Sequence, residues 1–193
     1  MKAYNKRTIV KLEKRMNDTI EIGGRKLVLD PVFRQYWNTI QLAQVVECDR
    51  NDIIPGNVVY VHHFVNAPEQ KLPTKELMSY LEYNQVYAIQ TNQGVEMLTS
   101  FVLVEPVTYE QAGLVKSSSG LRLSTHSPKD KIEKIGILKH MNQDLKEFGY
   151  KEGDIILFNK NCEYEMLIDG EVLYRMENRD VITSIDSFDQ LKI

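Results

Sequence analysis

Pro55-Gly56-Asn57-Val58-Val59-Tyr60-Val61 and Glu152-Gly153-Asp154-Ile155-Ile156-Leu157-Phe158 are one phrase written twice. Each is a glycine turn followed by Asn or Asp, feeding directly into four apolar residues suited to a β-strand. A phrase recurring in a chain of 193 residues marks an internal repeat, and the repeat decides the fold.

Working outward, four more pieces match. Upstream, Arg7-Thr8-Ile9-Val10-Lys11-Leu12-Glu13 and Ser100-Phe101-Val102-Leu103-Val104-Glu105-Pro106 are β-rich runs. Gly24-Arg25-Lys26-Leu27-Val28-Leu29 corresponds to Gly120-Leu121-Arg122-Leu123, and Ile40-Gln41-Leu42-Ala43-Gln44-Val45-Val46 to Ile135-Gly136-Ile137-Leu138. The interval from Gly24 to Gly56 matches that from Gly120 to Gly153 to within a single position, so the two copies hold nearly one register. Downstream, Gln85-Val86-Tyr87-Ala88-Ile89 is set against Glu171-Val172-Leu173-Tyr174-Arg175-Met176, which follows an Asp169-Gly170 hairpin signal. On that alignment the interval from Gly56 to Val86 is much longer than that from Gly153 to Val172, so the first copy holds an extra segment. Leu77, Met78 and Leu81 have helical spacing after Thr74 as N-cap, so the excess reads as a helix insertion near residues 74–83.

Short strands at regular spacing, separated by turns, predict an all-β chain of two tandem β-barrels, residues 1–99 and 100–193, with long mobile loops and one inserted short helix. No Gly/Ser-rich or Pro-rich linker separates them around residues 97–104.

Composition narrows the function. Lys and Arg total 24 against 27 Asp and Glu, a net charge of −3, so no basic field exists to hold nucleic acid. The longest apolar runs fall far short of the roughly 20 residues of a membrane span, and no signal-peptide segment follows the N-terminus. Two cysteines, Cys48 and Cys162, give no disulfide framework, and the composition is that of a cytoplasmic protein.

Candidate chemistry is sparse. His62 and His63 fall in one strand and point to opposite faces, so they cannot chelate one metal together. Cys162 has no nearby His to activate it. Gly23-Gly24 lacks the context of a phosphate-binding loop. Phe33, Tyr36 and Trp37 have helical spacing, as a core face or a partner-binding face would. No cofactor is expected, and the chain reads as a binding protein and not an enzyme.

The two long polar loops are more informative. Residues 16–38 and the stretch between Pro106 and Ile135 exceed the usual loop length, and each carries an apolar triplet beside glycine; the second has too little apolar content to pack. Either the triplets are ordinary strands completing each sheet, or they are peptides that order on a partner's groove. Burying three aliphatic side chains contributes roughly 1.5–3 kcal/mol each, while ordering each residue's backbone costs roughly 1–2 kcal/mol. One loop alone would bind weakly, and several linked loops would bind well.

Gly153-Asp154-Ile155-Ile156-Leu157-Phe158-Asn159, Ile168-Asp169-Gly170-Glu171-Val172-Leu173-Tyr174-Arg175-Met176 and Asp180-Val181-Ile182-Thr183-Ser184-Ile185 resemble the C-terminal half of a GroES-type co-chaperonin. The likeness covers nearly all of residues 100–186. The first repeat is similar but more diverged, so the chain resembles a tandem co-chaperonin, an arrangement known in chloroplasts; large bacteriophages also encode diverged members. The resemblance implies two GroES-like barrels and a homo-oligomeric lid for a GroEL-type chaperonin ring, with ATP hydrolysis left to the partner. In that family an apolar triplet on a mobile loop docks between two apical-domain helices, and the lid closes a chamber in which a substrate protein folds. The matching positions are Leu27, Val28 and Leu29, and less well Leu121, Arg122 and Leu123.

Three features depart from the family. Arg122 stands where an apolar residue is expected, the segment between Ile137 and Gly153 has no room for a roof hairpin, and the expected helix near Leu77 has no family counterpart. A chain of two barrels also cannot fill a seven-fold surface with equivalent whole chains. Arg122, the expected helix insertion and the diverged first repeat favour a rival reading, a GroES-like structural protein of a phage particle or other assembly that has lost chaperonin binding.

Overall fold

From each glycine turn a strand runs into the interior of a six-stranded antiparallel sheet. The structure, a computed structural model, describes residues 2–16, 19–22, 24–28, 39–98, 100–114, 127 and 129–191. The chain divides into two units, Met1–Leu98 and Thr99–Ile193. The first unit contains β1 (Arg7–Lys11), a separate hairpin of β2 (Thr19–Ile22) and β3 (Arg25–Val28), then β4 (Leu42–Cys48), β5 (Val58–Val61), β6 (Met78–Glu82), β7 (Val86–Thr91) and β8 (Gly94–Met97). The second contains β9 (Phe101–Thr108), β10 (Lys131–His140), β11 (Ile155–Phe158), β12 (Tyr164–Ile168), β13 (Glu171–Glu177) and β14 (Val181–Ile185). No helix among the described residues is long and apolar enough to cross a membrane.

The sheets run in the orders β6-β1-β4-β5-β7-β8 and β12-β13-β9-β10-β11-β14. Five strands correspond one for one, β6-β1-β4-β5-β7 with β13-β9-β10-β11-β14, so the repeated phrase is a repeated topology. The turns match bond for bond. Asn57 N–H donates to Ile54 O at 3.1 Å and Asp154 N–H to Lys151 O at 3.1 Å, closing four-residue turns around Gly56 (φ 95°) and Gly153 (φ 96°). Positive φ at the third position is why glycine stands in both. The side chain of the fourth residue caps the first: Ile54 N–H donates to Asn57 Oδ1 at 2.9 Å and Lys151 N–H to Asp154 Oδ2 at 2.8 Å. The bulge that follows is shared as well. Val59 faces Ile89, Tyr60 faces Ala88, and the register then slips to Val61 opposite Val86, just as Ile156 faces Ser184, Leu157 faces Thr183, and Phe158 faces Val181.

Inward-facing residues of these strands form the cores. Val10, Val45, Val59, Val61, Leu81 and Val86 belong to one buried cluster, and Val102, Val104, Leu138, Ile156, Phe158 and Met176 to its counterpart. Three expectations fail. Residues 74–83 hold no α-helix: Met78–Glu82 is β6, paired with β1 from Arg7 opposite Glu82 to Lys11 opposite Met78. Ser79 and Leu81 are fully buried while Met78, Tyr80 and Glu82 are not, a period of two and not of 3.6. Thr74 donates its hydroxyl to Glu76 O at 2.9 Å instead of capping a helix.

The second failure explains the first. The counterpart of β13 is β6, and that of β7 is β14, so Gln85-Val86-Tyr87-Ala88-Ile89 belongs with Asp180-Val181-Ile182-Thr183-Ser184 and not with β13. Both halves pass from one of these strands to the next through a 3-10 turn, Tyr83–Gln85 and Asn178–Asp180, each closed by a capping box that begins at Glu82 and at Glu177. The interval from Gly56 to Val86 then nearly equals that from Gly153 to Val181, and the apparent insertion vanishes. The only α-helix among the described residues is α1 (Gln143–Glu147), capped by Asn142 Oδ1, which accepts from Leu145 N–H at 3.2 Å. Third, the stretch after Pro106 is not wholly without packing, because Val107, Tyr109, Ile132 and Ile135 form a buried cluster. The Asp169-Gly170 signal is a two-residue hairpin turn with Ile168 opposite Glu171.

Two substitutions test this packing. A Cβ on Gly136 would collide with Val104 Cγ1 and lie 2.8 Å from Glu105 O, so Gly136→Ala should cost the second unit about 1–3 kcal/mol in urea unfolding. In the first unit, the side chain of Arg50 is 2% exposed, stacks 3.9 Å from the centroid of Tyr83 and donates to both carboxylate oxygens of Asp52, at 2.8 and 2.5 Å. The Arg50 hydrogen bonds hold the Asp52 carboxyl below its ordinary value. A carboxyl held low stabilises the fold above its unfolded value, about 3.9, and that contribution is lost as pH falls through the lower folded value. Asp52→Asn should therefore cost about 1–2 kcal/mol at neutral pH, discounted for the half-exposed carboxylate, and should flatten the acid limb of a stability-against-pH curve.

Candidate functional site

Strands β2 and β3 belong to neither six-stranded sheet. They pair only with each other, Ile22 opposite Arg25 at the turn and Thr19 opposite Val28 at the open end, and Gly24 takes φ 75° to close the turn. All four residues of β3 are exposed, Leu27 by 48% and Val28 by 84%. Leu27 and Val28 are thus exposed on a strand that, among the described residues, pairs with β2 alone. Leu29 lies outside the described residues, as do Leu121, Arg122 and Leu123 and the aromatic group of Phe33, Tyr36 and Trp37.

The hairpin has a defined root. Met16 bridges Thr39, and Ile40 N–H donates to Arg15 O at 3.2 Å, so the two ends of the segment that holds the hairpin meet at one point. The Arg15 guanidinium donates to Ser79 Oγ at 3.1 Å, Met78 O at 3.2 Å, Val65 O at 3.4 Å and Asn66 Oδ1 at 3.5 Å. Asn66 Nδ2 returns a bond of 2.6 Å to Arg15 O and another of 3.4 Å to Thr39 Oγ1. Burial pushes the Arg15 guanidinium below its ordinary value. A cation held by oxygens that carry no formal charge works as a geometric clamp: its rigid fork of donors ties the root of the hairpin to the chain at Val65-Asn66 and at Met78-Ser79. Sequence reasoning misses this clamp because its members lie 50 to 64 positions from Arg15 and no local pattern links them.

The other singled-out residues have different surroundings from those expected. His62 and His63 are not in a strand, because β5 ends at Val61 and a 3-10 turn, His63–Asn66, begins. Their rings approach to 4.1 Å between centroids instead of pointing to opposite faces, and His62 Nδ1 is occupied as acceptor from Phe64 N–H at 3.1 Å. Among the described residues no group of three or more His, Cys, Asp or Glu side chains is placed to hold a metal ion. Burial, with Asp180 and Glu163 nearby, pushes the Cys162 thiol up to about 11, so at neutral pH it is a protonated thiol that donates to Asn159 O at 3.0 Å. Such a thiol is a poor nucleophile.

The described part of the segment between Met16 and Thr39 is a rooted hairpin with two exposed apolar side chains, Leu27 and Val28, on its opposite faces. No protein-family model matches this chain, and no curated protein matches it.

Proposed function

We propose that this chain is a tandem co-chaperonin: each six-stranded sheet closes as a GroES-like barrel, the chains assemble into a homo-oligomeric ring in the cytoplasm, and the ring caps an ATP-driven chaperonin. The observation that carries the reading is the exposed Leu27-Val28 pair on a rooted hairpin outside both sheets. An apolar pair in water is costly unless something covers it, and a groove between helices of a chaperonin ring is a cover of the right chemistry. The shared topology and the shared turn geometry of the two units support a repeated, lid-like architecture. Leu29 completes the first triplet, and Leu121, Arg122 and Leu123 form the second. Arg122 grips less tightly, since its stem lies along an apolar surface only while its head reaches water or a carboxylate. Strand in place of the expected inserted helix removes one of the departures that favoured a structural role.

An ATP-dependent pull-down with a purified chaperonin ring tests the proposal. Capture of this protein with nucleotide and release without it is the expected result. Val28→Asp should lower capture more than ten-fold, because several linked copies of the site are weakened at once, and leave the thermal midpoint unchanged, because the position is exposed. Absence of capture in both nucleotide states with the cognate ring overturns the lid and leaves the structural protein of a phage particle or other assembly.

A further inference from the structure

In the second unit the Arg175 guanidinium lies between two rings, 5.0 Å from the centroid of Phe101 and 4.8 Å from that of Tyr164. The repeat gives each of these residues a counterpart. Val10 faces Val45 and Ser79 where Val104 faces Leu138 and Tyr174, so Arg7 takes the place of Phe101 and Tyr80 that of Arg175. Cation and ring have exchanged strands, and the stack is kept: the Arg7 guanidinium lies 4.8 Å from the centroid of Tyr80. The third member is missing. The bridge between Lys71 and Ser79 stands where Glu165 pairs with Tyr174, which puts Gln70 in the place of Tyr164. Gln70 turns its amide to Gln85 Oε1 at 2.8 Å, and among the described residues Tyr80 is the one ring on Arg7.

Arg7 and Tyr80 line a cavity of about 440 Å³, a size that holds one small molecule. Ile9, Leu72, Pro73 and Tyr4 give it apolar walls, Lys2 adds a second cation, and no acidic residue lines it. The nearby carboxylates are engaged elsewhere. Glu82, opposite Arg7 in the ladder, caps the Tyr83–Gln85 turn; Glu76 pairs with Lys11 at 3.0 Å; and Asp49 accepts from Lys6 N–H at 3.0 Å. The segment carrying Lys2 and Tyr4 reaches the cavity through a bend at Asn5 and Lys6, both left-handed at φ 59° and 56°. Two successive non-glycine residues in that region are strained, and backbone strain of this kind gathers at ligand sites.

We propose that this cavity binds a small aromatic carboxylate: its ring packs on the Arg7 guanidinium as Tyr164 packs on Arg175, and its carboxylate pairs with Lys2. An aromatic body is favoured because a guanidinium plane and tyrosine faces stack on π-systems. An anionic head is favoured because both charged groups at the cavity are cations. The second unit needs no such ligand, since its own β12 supplies the ring. The site is independent of the proposed lid.

Titration of the full chain with naphthoate, beside its uncharged twin naphthamide, tests the site by calorimetry and by nitrogen–proton correlation spectra. Naphthoate should bind once per chain and move the backbone amide signals of Tyr4, Arg7 and Tyr80, and naphthamide should bind roughly ten-fold more weakly. Lys2→Gln should weaken naphthoate roughly ten-fold and leave naphthamide as it was, because Lys2 holds the carboxylate alone. Arg7→Gln should weaken both probes, because the stacking partner is lost. Both positions are exposed, so circular dichroism and the thermal midpoint should not change. Absence of naphthoate binding, equal binding of the two probes, unchanged binding in Arg7→Gln, or signals that move on β2 and β3 instead would each overturn the proposal. Tighter binding of an acidic, phenylalanine-bearing peptide through the same signals would replace the free carboxylate with a peptide partner and overturn it too.

Discussion

Each glycine turn is clasped to the strand beside it by a pair of backbone hydrogen bonds: Gly56 N–H to Val45 O and Val45 N–H to Asn57 O, both at 2.8 Å, and in the second unit Gly153 N–H to Leu138 O at 2.8 Å with Leu138 N–H to Asp154 O at 2.9 Å. Because side chains along a strand alternate between faces, fixing one pair fixes which residues of the strand face inward. The clasp thus sets the register of β5 on β4 and of β11 on β10. The bulge then re-aims the following pair, and β7 and β14 inherit their positions from it. Only a glycine can occupy the third turn position at φ near 95° without strain, and only a short side-chain acceptor can reach back to the first. A four-residue local constraint therefore propagates across each sheet.

The hairpin of β2 and β3 depends on a different constraint, the Arg15 clamp at its root. The frame and the hairpin are separately secured, the frame by strand pairing and the hairpin by a side-chain network at one point of exit and return. This division lets the outward pair Leu27 and Val28 diverge without disturbing the core, and lets the core hold its register without regard to what the hairpin contacts.

Much of the frame is legible in the residues. The Gly-Asn and Gly-Asp turns, the β-branched runs at Arg7, Leu42 and Phe101, and the Asp169-Gly170 hairpin all carry their signal within a few positions. Legibility ends where local pattern and long-range pairing disagree. Leu77, Met78 and Leu81 satisfy a helical period, yet Met78–Glu82 is held as strand by β1, which lies near the opposite end of the unit's sequence. The alignment of β7 with β13 is misleading because an Asp-Gly hairpin in the second half has no counterpart turn in the first, where the 3-10 segments carry the true correspondence. At the candidate site, the glycine and apolar triplet draw attention to Leu27 and Val28, but exposure is a property of packing and is not readable from local pattern. The clamp is invisible for the same reason.

The shared register of the two units has a consequence for the order in which the protein is made. A strand whose pairing partner, bulge and turn all have equivalents elsewhere in the same chain can be mistaken for its equivalent, and such exchange is a common way for repeated domains to misassemble. β14 fits the seat of β7. During synthesis β8 emerges well ahead of β14 and closes the edge of β7 while the second copy of that seat does not yet exist. The first sheet therefore has its full set of strands in hand before β14 is made, and the vectorial order of translation favours pairing each strand within its own half.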